Sequence, residues 1–244
     1  MRKPRIYTQQ PLSNGTSLEL ESGASQHLAR ALRMESGDEF VLFNGQGGEF
    51  PARLESVGKK TVVARLGDQR HRETESPLAI HLGIAISRGD RMDWVIQKAT
   101  ELGATRITPL FTERTEVKLK GERAEKKLQH WRQVAISACE QCGRNRLPEI
   151  TDLSELESWL ARTAADLKFV LHHRAGNQDA DAVAPASVAL LVGPEGGLSD
   201  AEILAAEQAA YQSLALGPRV LRTETAPVAA IAILQARWGD MGLP

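Results

Sequence analysis

The stretch "LLVGPEGGLSD", residues 190–200, decides how the C-terminal part of the chain folds. An apolar run, "SVALLV", leads into a turn that holds three glycines and a proline, and the helix-forming segment "DAEILAAEQAA" follows at once. Ser199 and Glu202 have the spacing of a capping box, in which each side chain bonds the backbone amide of the other residue. The stretch therefore predicts a buried strand, a tight turn and a capped helix.

Apolar segments alternate with amphipathic ones beyond Pro77. The predicted strands include "LAIHLGIAI", "ATRITPLFT" and "LKFVLHH", and the predicted helices include "DRMDWVIQKATELG", "ERAEKKLQHWRQVAISACEQ", "LSELESWLAR" and "VAAIAILQARW". Apolar strands that alternate with helices indicate an α/β fold, in which helices cover both faces of a parallel sheet. Ligands of such sheets bind in the loops that follow the carboxyl ends of the strands.

The N-terminal part of the chain has a different pattern. The segments "EFVLFNGQGGEFPARLESV" and "KKTVVARL" contain three β-type runs and a glycine-rich turn, so they predict a small antiparallel sheet or barrel. The segment "SQHLARALRM" predicts one short helix, and the polar stretch at residues 67–77 is typical of a linker. We therefore expect two domains, residues 1–72 and 73–244.

The composition excludes several classes of protein. The 244 residues are 42% hydrophobic and carry a formal net charge of −1, which fits a globular chain without a global nucleic-acid-binding charge. The longest apolar stretch, residues 226–234, is well short of the ~20 residues that cross a bilayer. The stretch "MRKPRIYTQQ" has no apolar core, so we expect no export signal there, and Cys139 and Cys142 lie inside a predicted helix without a second pair to complete a zinc site. We expect a cytoplasmic protein without a metal or a membrane segment.

A second loop with a glycine and a proline, "LGPRVLRTETAP", precedes the last predicted helix. This helix is apolar on all sides, so we expect the sheet or a second copy of the chain to enclose it. The loop brings Arg219, Arg222 and Glu224 into that apolar neighbourhood. Two structural interpretations stay open here: an ion pair with Glu224, or Thr225 capping the helix ahead of Pro227.

Neither loop carries a nucleotide-binding motif. The dinucleotide pattern Gly-x-Gly-x-x-Gly is missing, as is the phosphate loop that ends in Gly-Lys-Ser/Thr, which argues against a Rossmann-type oxidoreductase. The glycines at residues 193–197 would also suit a tight connection that binds nothing. Two such loops on neighbouring strand ends favour a shared ligand.

The two loops belong to a set of motifs that resembles a known family. "GPEGGLS" and "LGPRVLRTETA" follow "ATELGATRITPLFTERT" and "ACEQCGRNRLPEI", and "PRIY" and "HLARALRMESGD" lie near the start. Over nearly the whole chain this order resembles the SPOUT class of RNA methyltransferases, and within it the ribosomal RNA small subunit methyltransferase E family. The resemblance implies a PUA-like β-barrel that binds RNA, followed by an α/β methyltransferase domain whose C-terminal chain threads a trefoil knot.

The resemblance also implies a reaction. Such proteins transfer a methyl group from S-adenosylmethionine to N3 of a uridine in 16S rRNA, the decoding-region uridine 1498, in assembled small ribosomal subunits. They work as homodimers through the C-terminal domain. A non-catalytic RNA-binding or ribosome-assembly protein is the alternative that the sequence leaves open.

The site residues follow by position from the same resemblance. Glu224 would accept the N3 proton, and Arg222 would stabilise the uracil oxygens or bind the carboxylate of the cofactor. Glu195 would either contact the ligand or brace its loop. The residues expected to bind S-adenosylmethionine are Leu171, His172, Gly193, Pro194, Glu195, Gly196, Gly197, Leu216, Gly217, Val220, Leu221, Arg222, Thr223, Thr225 and Ala226.

Basic residues give the expected RNA-binding surface, since positive side chains neutralise phosphates. Its members are Arg2, Arg5, His27, Arg30, Arg33, Arg88 and Arg144, and Lys3, Arg114 and Arg146 would extend it. Plain solvated surface is the alternative for any one of them. Trp94 and Trp131 have helical core spacing and are expected to pack inside the protein rather than stack on bases. His172 and His173 alternate faces at a strand end, which does not favour a shared metal.

Overall fold

The computed structural model describes residues 3–58, 61–172 and 184–242. Arg2, expected to bind RNA, and His173 lie outside these residues. The chain divides into two compact units: Met1–Glu75 with Cys139–Leu147, and Ser76–Ala138 with Pro148–Pro244. The expected division after residue 72 did not include the segment Cys139–Leu147 in the first unit.

The first unit contains a five-stranded sheet. Its strands are β1 (Arg5–Tyr7), β2 (Ser17–Glu19), β3 (Glu39–Phe43), β4 (Phe50–Val57) and β5 (Val62–Leu66), in the order β1-β3-β4-β5-β2. Three pairings are antiparallel, as the sequence predicted, but β1 lies parallel to β3. The sheet is therefore mixed, because the short N-terminal strand adds to an edge that the hairpins leave open.

A short helical segment covers the core of this sheet. It consists of α1 (Ser22–Gln26) and a π-helical turn (His27–Ala31), and it starts three residues before the predicted segment. Leu28 is fully buried and packs with Ile6, Phe40, Leu42 and Leu54. The apolar side chain at the centre of "SQHLARALRM" thus fixes this segment on the sheet.

The second unit contains a seven-stranded sheet. Its strands are β6 (Ala79–Ala85), β7 (Ala104–Phe111), β8 (Glu149–Ile150), β9 (Ser154–Glu155), β10 (Leu167–Leu171), β11 (Ser187–Val192) and β12 (Gln212–Leu214). The order is β12-β10-β11-β6-β7-β8, and β9 also pairs with β7. All of these pairings are parallel, which confirms the predicted α/β class.

The helices described beyond residue 76 are α2 (Arg91–Glu101), α3 (Gly121–Cys142), α4 (Leu156–Arg162), α5 (Asp200–Gln208) and α6 (Thr225–Trp238), and α3 ends within the segment Cys139–Leu147 of the first unit. Alternate residues of β11 enter two separate cores. Leu190 packs with side chains of α2, α3 and α6, whereas Leu191 packs with side chains of α4 and α5. Because successive strand residues point to opposite faces, helices cover both faces of the sheet, as predicted.

One helix contact depends on a glycine in the sheet. A Cβ added at Gly83 of β6 would lie 2.4 Å from Cζ2 of Trp159 in α4, so only glycine admits this ring. Trp159 Nε1 donates a hydrogen bond to His81 Nε2 at 3.2 Å. Burial, and then the nearby Arg106 guanidinium, lower the pKa of His81 to about 4. His81 is therefore a neutral partner within the sheet at physiological pH.

The two tryptophans predicted to pack differ. Trp131 of α3 is fully buried in the core, as expected. Trp94 of α2 is 41% exposed, so the prediction that it packs inside is wrong for this side chain. Helical spacing alone does not show which side of a helix packs against the core, so it did not separate Trp94 from Trp131. Among the described residues, no helix combines the length and apolarity that crossing a membrane requires.

Candidate functional site

A cavity of about 520 Å³ lies in the second unit. Its wall includes the last residues of three neighbouring strands, Leu171 of β10, Val192 of β11 and Leu214 of β12. Arg91 and Arg114, which follow β6 and β7, complete it on the other side. The cavity thus lies at the carboxyl ends of five adjacent parallel strands, where ligands bind in sheets of this kind.

The first wall of the cavity is the segment at residues 193–199, which we call the glycine turn. A Cβ at Gly193 would lie 2.9 Å from the backbone nitrogen of Leu198, so a side chain there would force the turn open. Ser199 begins α5 with the predicted capping box, in which its Oγ accepts from Glu202 N at 3.3 Å and Glu202 Oε2 accepts from Ser199 N at 2.8 Å. The turn is held at its helical end as the sequence indicated.

Arg114 braces the same turn from the neighbouring strand end. Its Nη1 donates to the carbonyl oxygens of Gly196 at 2.8 Å and Leu198 at 3.4 Å. Arg114, expected to extend the RNA surface, instead contacts the glycine turn, a contact that the prediction from sequence missed. The position of "TERT" after a predicted strand was the available signal, because neighbouring strand ends meet at one edge.

Glu195 connects the glycine turn to the segment between β6 and α2. Its Oε1 accepts hydrogen bonds from the backbone nitrogen of Arg88 at 3.1 Å and from Nη1 of Arg91 at 2.9 Å. Of the two roles left open for Glu195, these contacts belong to the bracing role. Arg91 itself was not identified from the sequence.

The second wall is the segment at residues 215–224, which we call the arginine loop. One hydrogen bond joins it to the glycine turn, from Thr223 Oγ1 to the carbonyl oxygen of Gly193 at 2.7 Å. Gly217 has a φ of +88°, in the left-handed region that favours glycine, and Val220 is 77% exposed. The middle of this loop therefore faces solvent, while its end is fixed against the glycine turn.

Glu224 lies at the end of the arginine loop and is the N-cap residue of α6. Its side chain is 23% exposed, and its Oε2 lies 3.6 Å from Nε of Arg91. Glu224 occupies the N-cap position in place of Thr225, which is already the first residue of the helix, and within the described part of the chain Glu224 makes no side-chain capping bond. The carboxylate of Glu224 thus lines the cavity in an ion pair with Arg91, which lies outside the arginine loop, whereas the sequence suggested an ion pair within that loop.

The end of β10 also lines the cavity, through Leu171 and His172. The backbone nitrogen of His172 donates to the carbonyl oxygen of Leu214 at 3.3 Å, and His172 Nε2 lies 2.7 Å from Ser213 Oγ. Ser213 Oγ in turn donates to Glu207 at 2.7 Å. These bonds hold the end of β10 beside the start of the arginine loop.

The structure brings most of the predicted site residues together. The expected residues that line the cavity are Leu171, His172, Gly193, Pro194, Glu195, Gly196, Gly197, Leu216, Gly217, Val220, Leu221, Arg222, Thr223, Glu224 and Ala226. Thr225 is not among the lining residues. Arg219, which also lines the cavity, lies in the loop that the resemblance assigned to the cofactor; the lining residues that the sequence did not assign to this site are Arg91, Arg114, Val192, Leu198, Asp200, Ile203 and Leu214.

Two arginines expected to bind RNA lie inside the first unit instead. Arg5 is buried, forms an ion pair with Glu49, and donates to Asn145 Oδ1 at 2.5 Å. Arg144 is also buried, and its guanidinium bonds Glu75 at 2.6 and 3.0 Å. The expectation that Arg5 and Arg144 face RNA is therefore wrong. Both guanidinium groups are buried, and each pairs with a carboxylate that is distant in the sequence.

The remaining described residues of the expected RNA surface differ in exposure. Lys3, Arg30 and Arg33 are exposed and His27 is half-buried. Arg33 follows the π-helical turn with a φ of 53°, an uncommon conformation for a residue with a side chain. Arg88 is exposed and forms an ion pair with Glu116. Among the described residues, no cluster of three or more His, Cys, Asp or Glu side chains is arranged to hold a metal ion.

Comparison with known proteins gives the family. A model of the RNA methyltransferase domain matches residues 74–235, and a model of the RNA methyltransferase PUA domain matches residues 20–67. Ribosomal RNA small subunit methyltransferase E of Buchnera aphidicola subsp. Schizaphis graminum is 36% identical over 244 residues, 98% of each chain. The protein of the same name from Bacillus subtilis is 30% identical over 237 residues, 93% of each chain.

Two solved structures are similar over almost their whole length. Ribosomal RNA small subunit methyltransferase E from Neisseria gonorrhoeae, bound to S-adenosylmethionine, superposes with a TM-score of 0.93 at 38% identity and covers 98% of this chain and 99% of its own. A Legionella pneumophila protein in complex with the same cofactor gives a TM-score of 0.95 at 45% identity and covers 98% and 100%. The chain belongs to the ribosomal RNA small subunit methyltransferase E family of RNA methyltransferases.

Proposed function

We propose that this protein is an S-adenosylmethionine-dependent methyltransferase that modifies 16S rRNA of the small ribosomal subunit at N3 of a uridine. The observation that carries the proposal is the cavity of about 520 Å³ at the carboxyl ends of the sheet. It lies in a chain whose relatives of the same architecture were solved with S-adenosylmethionine. Because its substrate would be the small subunit, we place the protein in the cytoplasm.

The residues of the cavity fit this cofactor. The volume falls in the range of about 300–1,000 Å³ that is typical of small-molecule sites. The wall combines apolar side chains from the strand ends with the backbone of the glycine turn, which suits a ligand that has an adenine ring and a charged amino-acid end. The glycine turn and the arginine loop would hold it, and bound S-adenosylmethionine would supply an electrophilic methyl group.

The protein's own contribution to the reaction is positioning and control of one proton. Uracil N3 carries a proton and is a poor nucleophile until this proton is removed or shared. Glu224, whose carboxylate lines the cavity beside Arg91, would accept it. Arg222 lines the same cavity and would either stabilise the uracil oxygens as negative charge develops or bind the cofactor carboxylate.

The first unit, as a PUA-like domain, would bind the RNA. Because Arg5 and Arg144 are buried, the proposed surface reduces to the exposed residues Lys3, Arg30 and Arg33 with His27. Exposed Arg88 of the second unit is a further candidate. These few charges on a chain of net charge −1 support preference for a structured rRNA segment over arbitrary RNA.

We also propose a homodimer through the C-terminal domain, with a trefoil knot in the C-terminal chain. Helix α6 supports the dimer, because Ile233 on this largely apolar helix is 53% exposed. Sedimentation equilibrium on the wild type and on Ile233→Glu tests it. A dimeric wild type and a more dissociated variant are expected, and a monomeric wild type would contradict the dimer.

The reaction is tested by incubating small subunits that lack the modification with the protein and isotope-labelled S-adenosylmethionine. Mass mapping of the 16S rRNA should then find one labelled methyl group, on a uridine base at N3. Label on another base or another atom of the base would contradict the finer assignment. Binding to subunits without transfer of label would favour a non-catalytic RNA-binding or assembly protein.

A further inference from the structure

One guanidinium connects the two walls of the cavity. Arg91, the first residue of α2, donates from Nη1 to Glu195 in the glycine turn at 2.9 Å. Its Nε lies 3.6 Å from Oε2 of Glu224 in the arginine loop. Different nitrogens of the same side chain therefore serve two carboxylates that come from separate loops.

The chemistry of this contact favours arginine over lysine. Two carboxylates that face one position repel each other unless a cation lies between them. The planar guanidinium presents several N–H donors in fixed directions, whereas a lysine ammonium is a single point charge on a flexible stem. Arginine can therefore hold both carboxylates in defined places at once.

The fixed end of this arrangement is Glu195. Its Oε1 also accepts the backbone N–H of Arg88 at 3.1 Å, so that the carboxylate bonds both the main chain before α2 and the Arg91 side chain. Glu224 makes no capping bond to α6 within the described residues. Its described ion pair is with Arg91, which therefore controls where this carboxylate lies in the cavity wall.

We propose that Arg91 is a positioning residue for methyl transfer, with Glu195 as its fixed partner and Glu224 as the group it places. The inference rests on the proposed function, in which Glu224 accepts the N3 proton. Arg91 acts through Glu224, so its loss should slow the chemical step while binding of cofactor and RNA persists.

The test is single-turnover methylation of unmodified small subunits by the full-length protein, with the affinities for S-adenosylmethionine and subunits measured separately. Arg91→Met should lower the single-turnover rate about 30-fold and change either affinity by less than about threefold. Arg91→Lys keeps the charge and should recover part of the rate.

Glu195→Gln should slow the reaction less than Arg91→Met. The double variant should be no slower than Arg91→Met alone, because both changes release the carboxylate of Glu224.

Lys98→Met is the matched control. Lys98 lies on the same helix, its Nζ lies 2.8 Å from Oε1 of Glu101, and it is not one of the residues that line the cavity. This variant should methylate at the wild-type rate.

A wild-type rate for Arg91→Met would overturn the inference. So would weaker subunit binding at an unchanged saturating rate, which would make Arg91 an RNA contact, or fully additive effects of Arg91→Met and Glu195→Gln. If the wild type itself transfers no methyl group, the proposed function fails, which is a separate result.

Discussion

The two loops that form the cavity are built in different ways. The glycine turn is bonded at its helical end and along its length, by the capping box of Ser199, by Arg114 and through Glu195. The arginine loop is exposed at residues 217–220 and is fixed mainly at its end, by Thr223 and Glu224. The comparison indicates a rigid wall that shapes the cavity and a second wall whose fixed end carries Glu224, the proposed proton acceptor.

If the end of the arginine loop carries the chemistry, loss of its carboxylate should have the largest effect. Glu224→Gln keeps the shape of the side chain but cannot accept the N3 proton as readily. We expect the single-turnover rate of methylation to fall about 100-fold or more, as is usual for loss of a general base. The Kd of S-adenosylmethionine should change by less than about threefold. An unchanged rate in a folded variant would exclude Glu224 as the proton acceptor.

The glycine turn should instead control cofactor binding. In Gly193→Ala the new Cβ would lie 2.9 Å from the nitrogen of Leu198, and a backbone atom cannot move aside cheaply. Such overpacking costs about 2 kcal/mol, so the cofactor Kd should rise about 30-fold in calorimetric titration.

Gly217→Ala gives the comparison in the arginine loop. Its Cβ would meet open space, and only the positive φ opposes it. The cost is about 1 kcal/mol, and we expect a rise in Kd of about fivefold. Equal losses for the two alanine variants would contradict the contrast between a rigid turn and an open loop.

Loss of the hydrogen bond that joins the two walls should have a smaller effect on cofactor binding than Gly193→Ala. Thr223→Val removes the hydroxyl that donates to Gly193 at 2.7 Å and keeps the shape of the side chain. The net contribution of one hydrogen bond is about 1 kcal/mol, and the carbonyl oxygen of Gly193, left without this donor, adds to the loss. We expect the cofactor Kd to rise about fivefold, and combination with Gly193→Ala should be less than additive. Strict additivity would show that the two loops act independently.

The smallest effect on activity should come from the helix cap. Ser199→Ala removes one half of the capping box but leaves the cavity lining intact. It should lower the free energy of unfolding by about 1 kcal/mol in denaturant titration. The methylation rate of the folded variant should stay close to that of the wild type. A large loss of activity would mean that the cap positions the ligand directly.

The features predicted from the sequence are those with a local cause. The capping box of Ser199 and Glu202 and the alternation of strands and helices depend on neighbouring residues, and both are present in the structure. The predicted loops meet in one cavity because parallel strands end at the same edge. The short strand β1 was missed, because three residues carry too little pattern.

The features that the sequence did not predict depend on distant partners. Arg5 looked like a surface cation, but Glu49, 44 residues away, pairs with it in the interior. Arg91 looked like an ordinary residue at the start of a helix, and its role became visible only beside Glu195 and Glu224. A charge pattern along the chain does not show which cation meets which carboxylate after folding.

The central claim, that the cavity between these loops binds S-adenosylmethionine, is tested most directly by calorimetric titration of the wild-type protein with that cofactor. We predict saturable heat with about one cofactor per chain, as expected for one such site in each copy. Bound cofactor should also raise the melting temperature. Absence of both heat and thermal stabilisation would contradict the account.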